Sequence, residues 1–88
     1  MNLSAELSLY PLASDVNRTV LDFIDKLVEQ GTISAVTNSM STQISGDWDA
    51  VFDAVNRALK LSYEATGRQV LVAKFIPEHR LEVGPNGD

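Results

Sequence analysis

The chain has 88 residues, 44% apolar and 22% charged, with a formal net charge of −5. That is room for one domain with one modest core, and the absence of Cys excludes disulfides, thiolate metal sites and cysteine nucleophiles. No run of Lys or Arg supplies a footprint for nucleic acid, and no apolar stretch is long enough for a membrane span or a signal peptide. The chain therefore reads as a cytoplasmic domain.

Leu3, Ala5, Leu7 and Leu9 alternate with Ser4, Glu6, Ser8 and Tyr10. This period of two predicts a strand with one apolar and one polar face, closed by Pro11. Ser14 or Asp15 then caps a helix whose apolar face is Val16, Val20, Phe23, Ile24, Leu27 and Val28, with Gly31 just beyond its end. Residues 33–38 and 39–45 read as two strands of a hairpin that turns near Asn38 to Ser41, although no Asn-Gly or Asp-Gly marks the turn. Asp47 caps a second amphipathic helix carrying Trp48, Val51, Phe52, Val55, Ala58, Leu59 and Tyr63. Val70 to Ile76 form a last strand that is apolar on both parities except at Lys74, a pattern expected of a strand covered on both sides. The domain is expected over residues 1–81, and residues 82–88 as a flexible tail.

The element order is strand, helix, strand, strand, helix, strand. Right-handed crossovers place both helices on one face of a four-stranded antiparallel sheet, an α+β sandwich. The leucines of the first strand face the helices, so Ser4, Glu6, Ser8 and Tyr10 lie on the open face. The last strand adds apolar bulk there, on one parity or the other. Such a surface calls for a cover: a second subunit, a ligand, or both. Glu6 is either simply solvated or, if covered, requires hydrogen-bond donors. The polar run Asn38, Ser39, Met40, Ser41, Thr42 and Gln43 suits a small polar ligand and equally suits the backbone needs of its own hairpin. Lys74 either snorkels at an edge or pairs with Glu6 or a ligand group. The single His79 lacks the partners of a catalytic or metal site, and no phosphate loop, dinucleotide fingerprint, metal cluster or nucleophile elbow is present. No enzyme, metal or cofactor is therefore expected.

Three stretches carry a resemblance: Ser4-Ala5-Glu6-Leu7-Ser8-Leu9-Tyr10-Pro11, Met40-Ser41-Thr42-Gln43-Ile44-Ser45-Gly46-Asp47, and Val70-Leu71-Val72-Ala73-Lys74-Phe75. Together they resemble the thiamine-binding protein family related to the YkoF domains, over about residues 3–77. The resemblance implies a ferredoxin-like fold and self-association into a dimer or tetramer with sheets packed together, oligomerisation supplying the second domain that YkoF chains carry in tandem. It also implies non-catalytic binding of thiamine or its hydroxymethylpyrimidine moiety. The alternative is a structural or regulatory homo-oligomer with no ligand of that kind. The ligand residues implied are Glu6, Ser8 and Tyr10 on the first strand, Met40, Ser41 and Thr42 at the mouth, and Phe75 on the last strand; Asn38 of the polar run and Lys74 join them as candidates from the reading of the residues themselves. In that scheme Glu6 accepts from the aminopyrimidine, hydroxyls orient it, and Tyr10, Met40 or Phe75 packs on the ring.

Overall fold

A computed structural model describes residues 1–12 and 15–79. Its elements are β1 (Asn2–Pro11), α1 (Val16–Val28), β2 (Ile33–Thr37), β3 (Thr42–Asp47), α2 (Trp48–Thr66) and β4 (Gln69–Pro77). The sheet order is β2-β3-β1-β4, with every neighbouring pair antiparallel. This is the ferredoxin-like α+β sandwich. The expected tail at 82–88 and the candidate cap Ser14 lie outside the described residues.

The core follows from the period-two and period-3.6 patterns meeting across one layer. Leu3, Ala5 and Leu7 of β1 and Ile44 of β3 pack on Phe23 and Leu27 of α1 and Val51, Ala54 and Ala58 of α2, all buried. Burial on both helices departs in places from the apolar pattern. Thr19 is buried because its hydroxyl donates back to the Asp15 carbonyl at 2.8 Å, while Val16 at the helix start is exposed. On α2, Ala54, Ala58 and Ser62 form the buried row, and Phe52 and Tyr63 are displaced to the exposed side. Small side chains at that four-residue spacing let the helix approach its neighbours closely, so the bulky residues flank the contact.

Helix ends are satisfied locally. The Asp15 carboxylate accepts from Arg18 N–H at 3.3 Å, and the Asp47 carboxylate accepts from Asp49 N–H at 3.3 Å. Gly67 closes α2 at φ 93°, a left-handed conformation that an L side chain resists, and its N–H donates to the Tyr63 carbonyl. Asp47→Ala should lower the unfolding free energy by about 1 kcal/mol through the lost N-cap, measured by urea denaturation at unchanged m-value.

The hairpin turn has its own chemistry. Asn38 N–H donates to the Ser41 carbonyl at 3.0 Å, while Asn38 Oδ1 accepts from Met40 N–H at 2.8 Å and Ser41 N–H at 3.1 Å. The side chain thus takes over donors that a glycine-containing tight turn would direct to main chain. This is why the turn forms without an Asn-Gly signal.

Candidate functional site

The register settles which residues share a face. Opposite Glu6 stand Gln43 on β3 and Lys74 on β4; opposite Ser4 stand Ser45 and Ile76; opposite Ser8 and Tyr10 stand Val72 and Val70. These residues form the open face. Leu71 and Ala73 pack against the core on the other side, and Phe75 stacks on Phe52 of α2 with ring centroids 4.7 Å apart. The last strand therefore gives the open face Val70, Val72, Lys74 and Ile76. Phe75 lies on the helical side, away from Glu6, because it shares the parity of the core residues.

Glu6 is the centre of a polar chain on the open face. Its carboxylate accepts from the Ser41 hydroxyl at 3.0 Å, which itself accepts from the Gln43 amide at 2.6 Å, and Lys74 Nζ lies 3.7 Å from the other carboxylate oxygen. Ser4 does not contribute an open hydroxyl. It is buried, donating to the His79 carbonyl at 2.7 Å where the chain turns over β1 at Glu78, and lies 3.0 Å from the Ser45 hydroxyl.

Unequal strand lengths create a notch beside this chain. β1 pairs with β4 out to Pro11↔Gln69, but its pairing with β3 stops at Leu7↔Thr42. Ser8, Leu9 and Tyr10 consequently have a strand on one side only. The bonds Leu12 N–H to Arg68 carbonyl and Glu78 N–H to Asn2 carbonyl show that even-numbered residues of β1 exchange bonds with β4. By the alternation of an antiparallel ladder, odd-numbered residues direct their main-chain groups toward β3. Leu9 thus aims an N–H and a C=O into the notch with no ladder partner.

A cavity of about 210 Å³ occupies this notch. Its walls are Leu7 to Tyr10 of β1, Val20, Phe23 and Ile24 of α1, and the hairpin tip from Thr37 to Thr42. Of the residues singled out in the sequence, Ser8, Tyr10, Asn38, Met40, Ser41 and Thr42 line it. Glu6 stands one hydrogen bond away through Ser41, and Lys74 one ion pair farther. Thr42 faces the helical side, buried and 3.0 Å from the Thr37 hydroxyl. The Asn38 side-chain oxygen Oδ1 accepts from the Met40 and Ser41 N–H groups, so it serves the backbone of its own hairpin. Met40 is 83% exposed at the rim. Sequence reasoning missed the α1 wall and the Leu9 main chain; the first read as ordinary core, and the second has no side-chain signature.

The site has donors, acceptors and an apolar wall, which is the composition of a small-molecule pocket. Among the described residues no group of three or more His, Cys, Asp or Glu could hold a metal ion, and no helix is long and apolar enough to cross a membrane.

Several solved structures share the fold. A Thermotoga maritima protein assigned provisionally to thiamine biosynthesis or salvage is 16% identical, with a TM-score of 0.75 over 85% of this chain and 82% of its own. A hypothetical protein of Methanocaldococcus jannascii is 24% identical, with a TM-score of 0.77 over 97% of this chain and 89% of its own. A Streptococcus pneumoniae protein is 17% identical, with a TM-score of 0.79 over 90% of this chain and 89% of its own. No curated protein matches the chain. The family model described as thiamine-binding protein matches residues 5–76, nearly all of the folded elements. With that match, the chain belongs to the thiamine-binding protein family.

Proposed function

We propose that this domain captures thiamine or its hydroxymethylpyrimidine moiety without transforming it, seating the pyrimidine in the notch between β1, α1 and the hairpin tip. The observation that carries the reading is the meeting of an apolar wall, the unpaired Leu9 main chain and the Glu6–Ser41–Gln43 chain at one cavity. An aminopyrimidine presents an amino donor beside a ring-nitrogen acceptor. The Leu9 C=O and N–H offer the matching acceptor and donor. Glu6 takes a second amino proton, directly or through the Ser41 hydroxyl, and Tyr10 and Met40 close over the ring at the rim.

Size supports the moiety more than the whole vitamin. Cavities for drug-sized ligands run to roughly 300–1,000 Å³, and this one holds about 210 Å³. A single substituted ring is the better fit, leaving a thiazolium outside, where the acidic surface of a chain with net charge −5 favours a cation. Binding is the whole task in this reading: no acid–base pair or nucleophile is assigned a chemical step.

Calorimetric titration with thiamine, its phosphates and hydroxymethylpyrimidine tests this. Saturable binding of hydroxymethylpyrimidine is expected, with thiamine binding at least as tightly. The exposed Tyr10, Val70, Val72 and Ile76 on the open face support a second reading, a structural or regulatory homo-oligomer with stacked sheets. Self-association without saturable binding of any of these ligands would favour it.

A further inference from the structure

We propose that the Gln43–Ser41–Glu6 chain makes the notch selective for a heterocycle carrying an exocyclic amino group over its oxo counterpart, with Gln43 as the positioning residue. The inference rests on the notch being the pyrimidine site and concerns what that site rejects. Gln43 stands beside Glu6 in the sheet and does not line the cavity; it reaches the site through Ser41. The Ser41 hydroxyl has one proton and two lone pairs. Its oxygen lies 3.0 Å from Glu6 Oε2 and 2.6 Å from Gln43 Nε2. The Glu6 carboxylate, with the Lys74 ammonium 3.7 Å from its other oxygen, has only lone pairs to offer, so Ser41 donates to it. Gln43 must then donate to Ser41. The reverse amide orientation would set a second acceptor against a hydroxyl whose proton is already engaged. Ser41 Oγ is left with one lone pair and no proton.

That residual lone pair decides which ring edge the notch completes. Ser41 lines the cavity together with Leu9, whose main chain is unpaired there. The Leu9 C=O and N–H alone do not discriminate. An aminopyrimidine offers an amino donor beside a ring-nitrogen acceptor, and the oxo form, turned over, offers a ring N–H donor beside a carbonyl acceptor. The difference is the second amino proton. It reaches Ser41 Oγ in the amino form, whereas the oxo form has no further proton on that edge and sets lone pair against lone pair. Glu6 fixes which way the Ser41 proton points, and Gln43 fixes where the oxygen stands. The hydroxyls of Thr37 and Thr42, which also line the cavity, differ: they lie 3.0 Å apart and either can donate, so they adapt to a ligand donor or acceptor. A polar group built to pair with one substituent rejects the analogue that lacks it more strongly than an apolar pocket can, because its own hydrogen bond is then left unmade.

Calorimetric titration with hydroxymethylpyrimidine and its 4-oxo counterpart tests the proposal. The parent chain should bind the amino form roughly tenfold or more tightly than the oxo form. Gln43→Met keeps the length of the side chain without its donor. It should weaken binding of the amino form roughly fivefold and leave the oxo form within about twofold, whereas a merely structural change would weaken both alike. Ser41→Ala should abolish the preference, and Gln43→Met added to it should have no further effect, because the two residues act through one oxygen. Urea denaturation of each variant checks that the fold is retained, and Ser41→Ala carries the test if Gln43→Met unfolds. Failure of the parent chain to bind either compound would overturn this proposal together with the reading of the site. Equal affinity of the parent chain for both compounds would overturn the selectivity and leave the site standing. Equal weakening of the two by Gln43→Met, or additive losses in the double variant, would overturn the positioning role of Gln43.

Discussion

Phe23→Ala should lower the unfolding free energy by about 3–5 kcal/mol, the cost of truncating a buried phenylalanine. Phe23 is 2% exposed and is the largest fully buried side chain among the described residues. It sits on α1 where the helix meets β1, and its ring also forms part of the cavity wall. Its removal therefore acts on two levels. The core loses packing, and the notch deepens toward the core. Domains have only about 5–15 kcal/mol in total, so a large part of the native margin disappears. Urea denaturation should show a lower midpoint with an unchanged m-value. The magnitude should lie toward the lower end of the range if water enters from the adjoining cavity. A loss below about 1 kcal/mol would mean that Phe23 is not a central packing residue.

Glu6→Gln should have the opposite profile: a large effect on ligand and a small one on folding. The substitution retains shape and one acceptor but removes the charge. A hydrogen bond to a charged group contributes about 1.5–3 kcal/mol, so pyrimidine binding should weaken by roughly 10–100-fold. The folding cost should stay under about 1 kcal/mol, since the ion pair to Lys74 spans 3.7 Å between side chains that are 44% and 75% exposed. Titration calorimetry and a denaturation curve on the same sample separate the two quantities. Unchanged affinity would remove Glu6 from the site, and an unfolded variant would give it a structural role instead.

The contrast between Phe23 and Glu6 also explains what was legible in the sequence. The fold was legible because its signals are periodic. Leu3, Ala5 and Leu7 alternate to one face, and Phe23 and Leu27 recur at a helical interval, so the layers follow from chain order. β4 was legible as a strand but not in its parity, since Val70 to Phe75 is apolar on both sides. Only the register Glu6↔Lys74 separates its two faces, and it moves Phe75 to the helices. Of the row Ala54, Ala58 and Ser62, only Ala58 stood out in the apolar pattern; Ala54 and Ser62 escaped it because small residues carry little hydropathy signal, though the row decides how closely α2 packs.

The candidate site divides along the same line. Glu6, Ser8, Tyr10 and the hairpin residues could be picked out as polar groups with no place in a core. Their convergence depended on a difference in strand length. Thr42 ends the β3 ladder while β1 continues to Pro11, and the resulting notch is a property of pairing rather than composition. Leu9 illustrates this most clearly. Its side chain packs against the core as the alternation predicts, while its main chain supplies the donor and acceptor that no sequence pattern advertises.

The central claim is that this notch holds a pyrimidine, and calorimetric titration of the native chain with hydroxymethylpyrimidine tests it most directly. The account predicts saturable binding with one site per chain, competed by thiamine and weakened in Glu6→Gln. Absence of saturable heat with hydroxymethylpyrimidine, thiamine and the thiamine phosphates alike, from a folded sample, would contradict it.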